Sequence, residues 1–285
     1  MDLCNAAQMK ALLEEHGFHF SKAKGQNFLT AAWVPQRIAE EAGVDAGAGV
    51  LEVGPGVGPL TEQLCLRAGK VLAVELDRRL KPILKKTVGS FDNLELRFAD
   101  VMELDLADTV RETFPGLRPM ACANLPYYIT SPILTRLLES RAFDSVTVMI
   151  QKEVAQRICA EPGVGEGSAF AVFCHWYAEP RMLFDVPPDC FLPRPKVTST
   201  VITLKTRPAP PCPVADEALF FRVVRAAFAQ RRKTLTNALA AGFPGRDKAG
   251  LAALLEDCGL SPTVRGETLS IPQFAAVADR LTAGS

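Results

Sequence analysis

An α/β domain with a mostly parallel sheet, followed by a small all-helical domain, is the fold class that the sequence predicts. Three observations predict it. Apolar strand candidates alternate with amphipathic helices over residues 50 to 206, a glycine-rich turn follows the first of those strands, and a proline-rich break precedes a strandless C-terminal stretch.

The elements follow in chain order. Gln8 to Glu15 and Trp33 to Ala42 read as helices flanking the polar segment Ser21 to Asn27. Val50–Val53, Val71–Glu75, Leu94–Phe98, Met120–Ala123 and Val146–Ile150 read as strands. Each ends where a loop begins, and those ends are where open α/β sheets bind ligands. Arg207 to Pro213 carries four prolines in seven residues, which suits a stiff linker. Beyond it, Phe221, Val224, Phe228, Leu235 and Leu239 share an arc at ~100° per residue, so one buried helix face is expected. Arg222, Arg225, Arg232 and Lys233 fall on a neighbouring arc of the same helix. The expected division is a domain over residues 1–206 and a second over 207–285.

Composition excludes several classes. The 285 residues are 48% hydrophobic and 22% charged, which fits a globular chain with a real core rather than a disordered one. No apolar run approaches the roughly eighteen residues of a membrane helix, and the N-terminus has no secretory pattern, so a cytoplasmic location is expected. The eight cysteines include no C-x-x-C pair, so buried free thiols are expected, with neither a disulfide framework nor a metal. Formal net charge is zero, but Arg222, Arg225, Arg231, Arg232, Lys233 and Arg246 form a stretch with six bases and no acid. That stripe permits nucleic-acid binding. Nothing suggests an obligate interface, and a monomer is expected.

The glycine turn is Glu52-Val-Gly54-Pro-Gly56-Val-Gly58. Alone it is a weak signal, shared by many nucleotide-binding sheets of Rossmann-like type. Pro59 follows at once and removes one free N–H, which suits a ligand without a pyrophosphate. Glu75 stands 21 residues past Gly54 at the second strand end, where a carboxylate can accept from ribose hydroxyls. Asp100 follows the third strand and can take an adenine amino group. Either acid alone reads as a solvated loop residue; with the glycine turn they describe a nucleoside pocket.

Asn124-Leu125-Pro126-Tyr127 follows the fourth strand. The Asn124 side-chain oxygen and the Leu125 carbonyl form a pair of acceptors suited to the N–H groups of an aromatic amine. Pro126 fixes the turn, and Tyr127 offers a ring on which a base can stack.

With these residues in place, the chain resembles the KsgA/RsmA family, the adenine-N6 dimethyltransferases of small-subunit ribosomal RNA, from Lys22 to Leu281. The resemblance rests on Gly25-Gln-Asn-Phe-Leu29, Glu52 to Thr61, Asn124-Leu-Pro-Tyr127, Gln151-Lys-Glu-Val154, Phe191 to Val197 and Arg231-Arg-Lys-Thr-Leu235. It implies a class I S-adenosylmethionine-dependent methyltransferase domain with a helical RNA-binding domain, acting on 16S RNA of the small ribosomal subunit. It places Gln26, Asn27, Leu29, Gly54, Gly56, Glu75, Leu76, Asp100, Val101 and Asn124 around the S-adenosylmethionine. It assigns catalysis to Asn124, Leu125, Pro126 and Tyr127, with Phe191 stacking on the target adenine opposite Tyr127. RNA contact falls to Arg222, Arg225, Arg231, Arg232 and Lys233.

Related readings are the erythromycin-resistance methylases of large-subunit RNA and non-catalytic assembly factors of the same fold. The Arg231-Arg-Lys-Thr-Leu235 pattern favours the small subunit, and intact Glu75, Asn124 and Tyr127 favour catalysis. A nicotinamide dehydrogenase would leave the tetrapeptide and the N-terminal motif unexplained. Where family members often carry Asn after the tetrapeptide, this chain has Tyr128.

Overall fold

The computed structural model describes residues 1–18, 26–164, 167–230 and 232–283. Its packing divides the chain into two units, Met1–Ala155 with Glu179–Thr206, and Gln156–Ala178 with Arg207–Ser285.

The first unit is built on a seven-stranded sheet. Its strands are β2 (Ala48–Val53), β3 (Lys70–Val74), β4 (Leu94–Arg97), β5 (Arg118–Asn124), β6 (Ser145–Gln151), β7 (Ala178–Val186) and β9 (Ser199–Thr206), in the order β4-β3-β2-β5-β6-β9-β7. The first five run parallel, and β9 pairs antiparallel with β6. Every residue of β2 is buried, as a strand covered on both faces requires. From β2 the chain steps outward to β3 and β4, then returns to β5 on the other side of β2. The crevice beside β2 is therefore the switch point where such sheets bind ligands. A short β1 (Phe28–Leu29) pairs antiparallel with β8 (Phe191–Leu192) apart from the main sheet.

The helices α1 (Ala6–Glu15), α2 (Trp33–Glu41), α3 (Pro59–Cys65), α4 (Lys81–Thr87), α5 (Leu106–Thr113) and α6 (Thr130–Glu139) supply the apolar cover. Local chemistry starts them: Asn5 caps α1 by accepting from the Ala7 and Gln8 N–H groups, and Asp105 caps α5 through Asp108 N–H. Val34 and Ile38 of α2 and Leu60 and Leu64 of α3 pack with Val50, Val71 and Met120 of the sheet. Leu12 and Leu13 of α1 and Ile83 and Leu84 of α4 pack with Phe28 and Val57 in a second cluster.

The second unit departs from expectation in two ways. Residues 156–178, expected with the catalytic domain, cluster with the C-terminal helices. The reason is aromatic packing: α8 (Ala169–Tyr177) sets Trp176 on Phe220 of α9 (Glu217–Ala229) at 4.2 Å between ring centroids. Tyr177 lies parallel to Phe221 at 6.0 Å, and its hydroxyl donates to Glu217 Oε1 at 2.7 Å. The single helix expected through 221–239 is also broken. Helix α9 ends at Ala229, and Thr234 then caps α10 (Leu235–Gly242) by accepting from Asn237. Arg232 and Lys233 therefore lie between two helices rather than on one face. Helices α11 (Lys248–Asp257) and α12 (Ile271–Ala283) complete the unit, and no described helix is long and apolar enough to cross a membrane.

Phe220 is fully buried in the ring cluster of the second unit. Phe220→Ala should cost about 3–5 kcal/mol, read as a lowered denaturant midpoint. A loss under ~1 kcal/mol would mean that the cluster collapses around the gap.

Candidate active site

One cleft lies at the C-terminal ends of β2, β3, β4 and β5, and the expected nucleoside-binding residues line it. Its floor is the turn between β2 and α3. Gly54 donates its N–H to the Val74 carbonyl at 2.9 Å with φ +71°, and a Cβ there would meet no protein atom within 4 Å. A side chain at Gly54 would thus occupy space that the bare backbone leaves to a ligand. Gly56 has φ +63°, and its Cβ would press to 3.1 Å from the Phe28 ring.

Glu75, just past β3 and 7% exposed, accepts from the Gly56 N–H through Oε2 at 3.3 Å and from the Asp77 N–H through Oε1 at 2.8 Å. Leu76 beside it is 57% exposed on the cleft rim, an apolar surface for a planar ring. Past β4, Asp100 accepts from the Met102 N–H at 2.9 Å, and Val101 is buried against the cleft. The N-terminal strap closes one side. Gln26 Nε2 donates to Asp77 Oδ2 at 3.2 Å, and Leu29 is buried in β1. These groups fit a nucleoside carrying an amino-acid chain, with acids at its hydroxyls and its ring amine, and bare backbone beneath.

The tetrapeptide enters the same cleft from β5. Asn124 Nδ2 donates to the Asn27 carbonyl at 3.1 Å, which commits the amide's donor end and leaves Oδ1 as an acceptor at the strand end. Leu125 N–H donates to the Met149 carbonyl of β6 at 3.2 Å. Pro126, at φ −59° and ψ 132°, leads into a 3-10 turn over Tyr127–Ile129, whose Ile129 N–H returns to the Pro126 carbonyl. Tyr127 is half-buried, with its hydroxyl 2.7 Å from Ser199 Oγ on β9. Burial raises that phenol's pKa, partly offset by the hydrogen bond, so Tyr127 stays neutral.

Phe191, expected to stack on the target base opposite Tyr127, is 5% exposed, packed with Val186 and Cys190, and paired across β1 and β8 with Leu29, which lines the cleft. Three further residues line the cleft, of which the sequence singled out Tyr128 but gave no role to Asp77 or Glu52. Asp77 sits two places after Glu75, and its buried carboxylate holds both Gln26 and the Arg79 guanidinium. Tyr128 lies exposed on the rim. Glu52, the last polar group before the glycine turn, is 1% exposed, and its Oε2 has no hydrogen-bond partner. Burial pushes its pKa up to about 8 and the nearby Glu75 adds to the rise, while Thr61 pulls it partly back. Thr61 Oγ1 nonetheless has no partner in hydrogen-bonding geometry.

In the second unit, Arg222, Arg225, Arg232 and Lys233 are all exposed. Arg222 is held, its guanidinium 4.3 Å from the Phe243 ring and bonded to the Gly242 carbonyl at 3.1 Å. Arg231 lies outside the described residues. No group of three or more His, Cys, Asp or Glu that could hold a metal ion occurs among the described residues.

A β2-centred parallel sheet with this glycine turn and this ring of acids defines a Rossmann-like class I S-adenosylmethionine-dependent methyltransferase. A family model described as "Ribosomal RNA adenine dimethylase" matches residues 17–282, and the chain belongs to that family. It is 44% identical to Ribosomal RNA small subunit methyltransferase A of Shouchella clausii over 283 residues, covering 98% of this chain and 96% of that one. It is 43% identical to the protein of the same name from Alkaliphilus oremlandii, covering 95% of each. Among solved structures, the 23S rRNA methyltransferase ErmE superposes with a TM-score of 0.68 at 26% identity, covering 90% of this chain and all of that one. A dimethyladenosine transferase from Plasmodium falciparum shares the fold with a TM-score of 0.71 at 24% identity, over 87% of this chain and 95% of that one.

Glu52 carries a prediction. The folded protein keeps its proton up to about pH 8, whereas an unfolded chain releases it near 4.5. Folding therefore takes up a proton between those values, so this group's contribution to stability falls as pH rises, by ~1.4 kcal/mol per unit. Glu52→Gln removes the effect. In ligand-free protein the variant's stability relative to wild type should grow from pH 5 to pH 8 and then level off. A difference independent of pH would show that Glu52 is ionised in the fold.

Proposed function

We propose that this chain transfers methyl groups from S-adenosylmethionine to the N6 amines of adjacent adenines in a loop near the 3′ end of small-subunit (16S) ribosomal RNA, acting in the cytoplasm during subunit biogenesis. The observation that carries this reading is the oriented Asn124 amide, held by the Asn27 carbonyl in the cleft that Glu75 and Asp100 line. Relatives 44% identical and named for the small subunit support that target over the large one.

An adenine amine is a poor nucleophile because its lone pair is delocalised into the ring. Asn124 Oδ1 and the Leu125 carbonyl accept its two N–H bonds in the first transfer and hold the one that remains in the second, favouring the pyramidal nitrogen whose lone pair can attack. Tyr127, tethered to Ser199, presents its ring to the reacting base, which has to leave its helical stack to enter the cleft. Glu75 takes the ribose hydroxyls, Asp100 and Val101 the cofactor's adenine, and Leu76 covers that ring. Gln26, Asn27, Leu29, Gly54 and Gly56 surround the methionine end. When bound, the cofactor supplies an electrophilic methyl on a cationic sulfur and leaves as a neutral thioether. No strongly basic side chain is needed, since the methylated amine gives its proton readily to water. Orientation and aligned dipoles do the catalytic work. Arg225, Arg232 and Lys233 meet RNA phosphate, together with Arg231 and the more constrained Arg222.

The test is transfer of labelled methyl to unmethylated small and large subunits, followed by nucleoside analysis. N6,N6-dimethyladenosine from small subunits alone is expected. Label in the large subunit would support a resistance-type methylase, and none in either would support a binding factor. In the same assay Asn124→Ala should reduce transfer by about 10²-fold or more, a loss much larger than any change in cofactor affinity. Full activity in that variant would remove Asn124 from its role. Replacing Arg225, Arg232 and Lys233 together should flatten the salt dependence of RNA affinity by up to ~3 units of slope; an unchanged slope would make them ordinary solvated residues.

A further inference from the structure

We infer that Tyr128 forms an outer stacking platform for the nucleotide adjoining the target adenine, and so sets affinity for RNA rather than the rate of methyl transfer. This rests on the reading that an RNA adenine is the substrate.

A single exposed tyrosine is common on protein surfaces and needs no explanation by itself. What singles this one out is its support. Tyr128 is the middle residue of the Tyr127–Ile129 turn, which is stapled at both ends. Ile129 N–H returns to the Pro126 carbonyl at 3.2 Å, and Thr130 Oγ1 reaches the Pro126 and Tyr127 carbonyls at 3.3 and 3.4 Å. Successive residues of such a turn point about 120° apart. Tyr127 is therefore turned inward to Ser199, while Tyr128 stands 60% exposed on the lip of the same cleft. Its backbone is fixed, its ring is exposed, and no ring contact or hydroxyl partner is found for it among the described residues.

The other aromatic groups of the cleft leave this task open. Phe28 is buried against the glycine turn, Tyr127 is half-buried, and Phe191 lies in the core. Among described lining residues, Tyr128 is thus the aromatic ring with an exposed face. The acceptors for the reacting amine lie at the half-buried Asn124 and the buried Leu125, whereas Tyr128 is exposed. Extruding one base deprives its neighbour of a stacking partner. A rigid ring at the lip replaces that partner, and it does so for any base because each has a π-face. Two tyrosines in sequence then give two platforms at two depths, one for the reacting adenine and one for the nucleotide beside it.

The experiment is steady-state methylation of unmethylated small subunits by wild type, Tyr128→Ala and Tyr128→Phe, with cofactor affinity measured by calorimetry. Tyr128→Ala should raise KM for the subunit about ten-fold, within the range set by loss of one stacked base, with kcat and cofactor Kd near wild type. Tyr128→Phe should restore most of the loss, because the ring and not the hydroxyl is used. An unchanged KM in Tyr128→Ala, or failure of Tyr128→Phe to restore it, overturns the inference. A fall in kcat would instead place the ring on the reacting base, and a matching loss of cofactor affinity would make it a wall of the cofactor site; either outcome overturns it too. If the wild-type protein transfers no methyl to the subunit, the underlying function fails and this inference with it.

Discussion

The Glu75 carboxylate grips the glycine turn through the Gly56 N–H and the loop after β3 through the Asp77 N–H. Asp77 in turn holds Gln26 of the N-terminal strap, and the next residue of the strap, Asn27, holds the Asn124 amide. A chain of hydrogen bonds therefore runs across the cleft from the glycine turn to the strand end that carries Asn124. Each of its members sits in a partly dry environment, where such bonds reinforce one another. Transfer between two bound molecules depends on a near-attack geometry held to fractions of an ångström. In the proposed reaction, donor and acceptor would be positioned by the same network rather than by separate walls.

Two carboxyl groups share the buried side of that cleft, and they cannot both be charged without penalty. Glu52 lies deeper, without a full set of partners, and burial together with the nearby Glu75 keeps it protonated to about pH 8. Glu75, by contrast, accepts from two backbone N–H groups, so the two acids meet different surroundings within one cleft. The glycine motif therefore begins with an acid whose use is not as a fixed negative charge in the ligand-free protein.

Much of this arrangement was legible in the sequence because it depends on local order along the chain. The strands β2 to β6 lie where alternating apolar runs predicted them. Gly54, Glu75, Asp100 and Asn124 fall at successive strand ends for the same reason, since the sheet's topology brings those ends together. What was illegible depends on partners far away in sequence. Phe191 looks like a free aromatic beside prolines, yet Leu29, more than 160 positions earlier, takes it into the core. Residues 169–177 read as part of the catalytic domain until Trp176 is seen stacked on Phe220. Helical periodicity continues in phase across residues 230–234, so it cannot register that Thr234 starts a new helix. The protonation of Glu52 likewise follows from burial, which no motif encodes.

The neutral overall charge has a consequence for how RNA is chosen. A strongly basic protein binds any polyanion, and its selectivity is eroded by the mass of competing RNA. With 32 basic and 32 acidic residues, this chain has no such global attraction. Within the acid-free stretch of residues 222–246, Arg225, Arg232 and Lys233 are exposed, while Arg222 is partly spent on Phe243 and Gly242. A handful of phosphate contacts fixes position without supplying sequence information. In the proposed reaction discrimination falls to the cleft, which takes a base only after it has left its stack and engages it through the N–H of an exocyclic amine. Paired adenines fail the first condition, and bases lacking an exocyclic amine fail the second. A single-stranded adenine held in a folded RNA satisfies both, so a chain without net charge can be selective where a strongly basic one would bind everywhere.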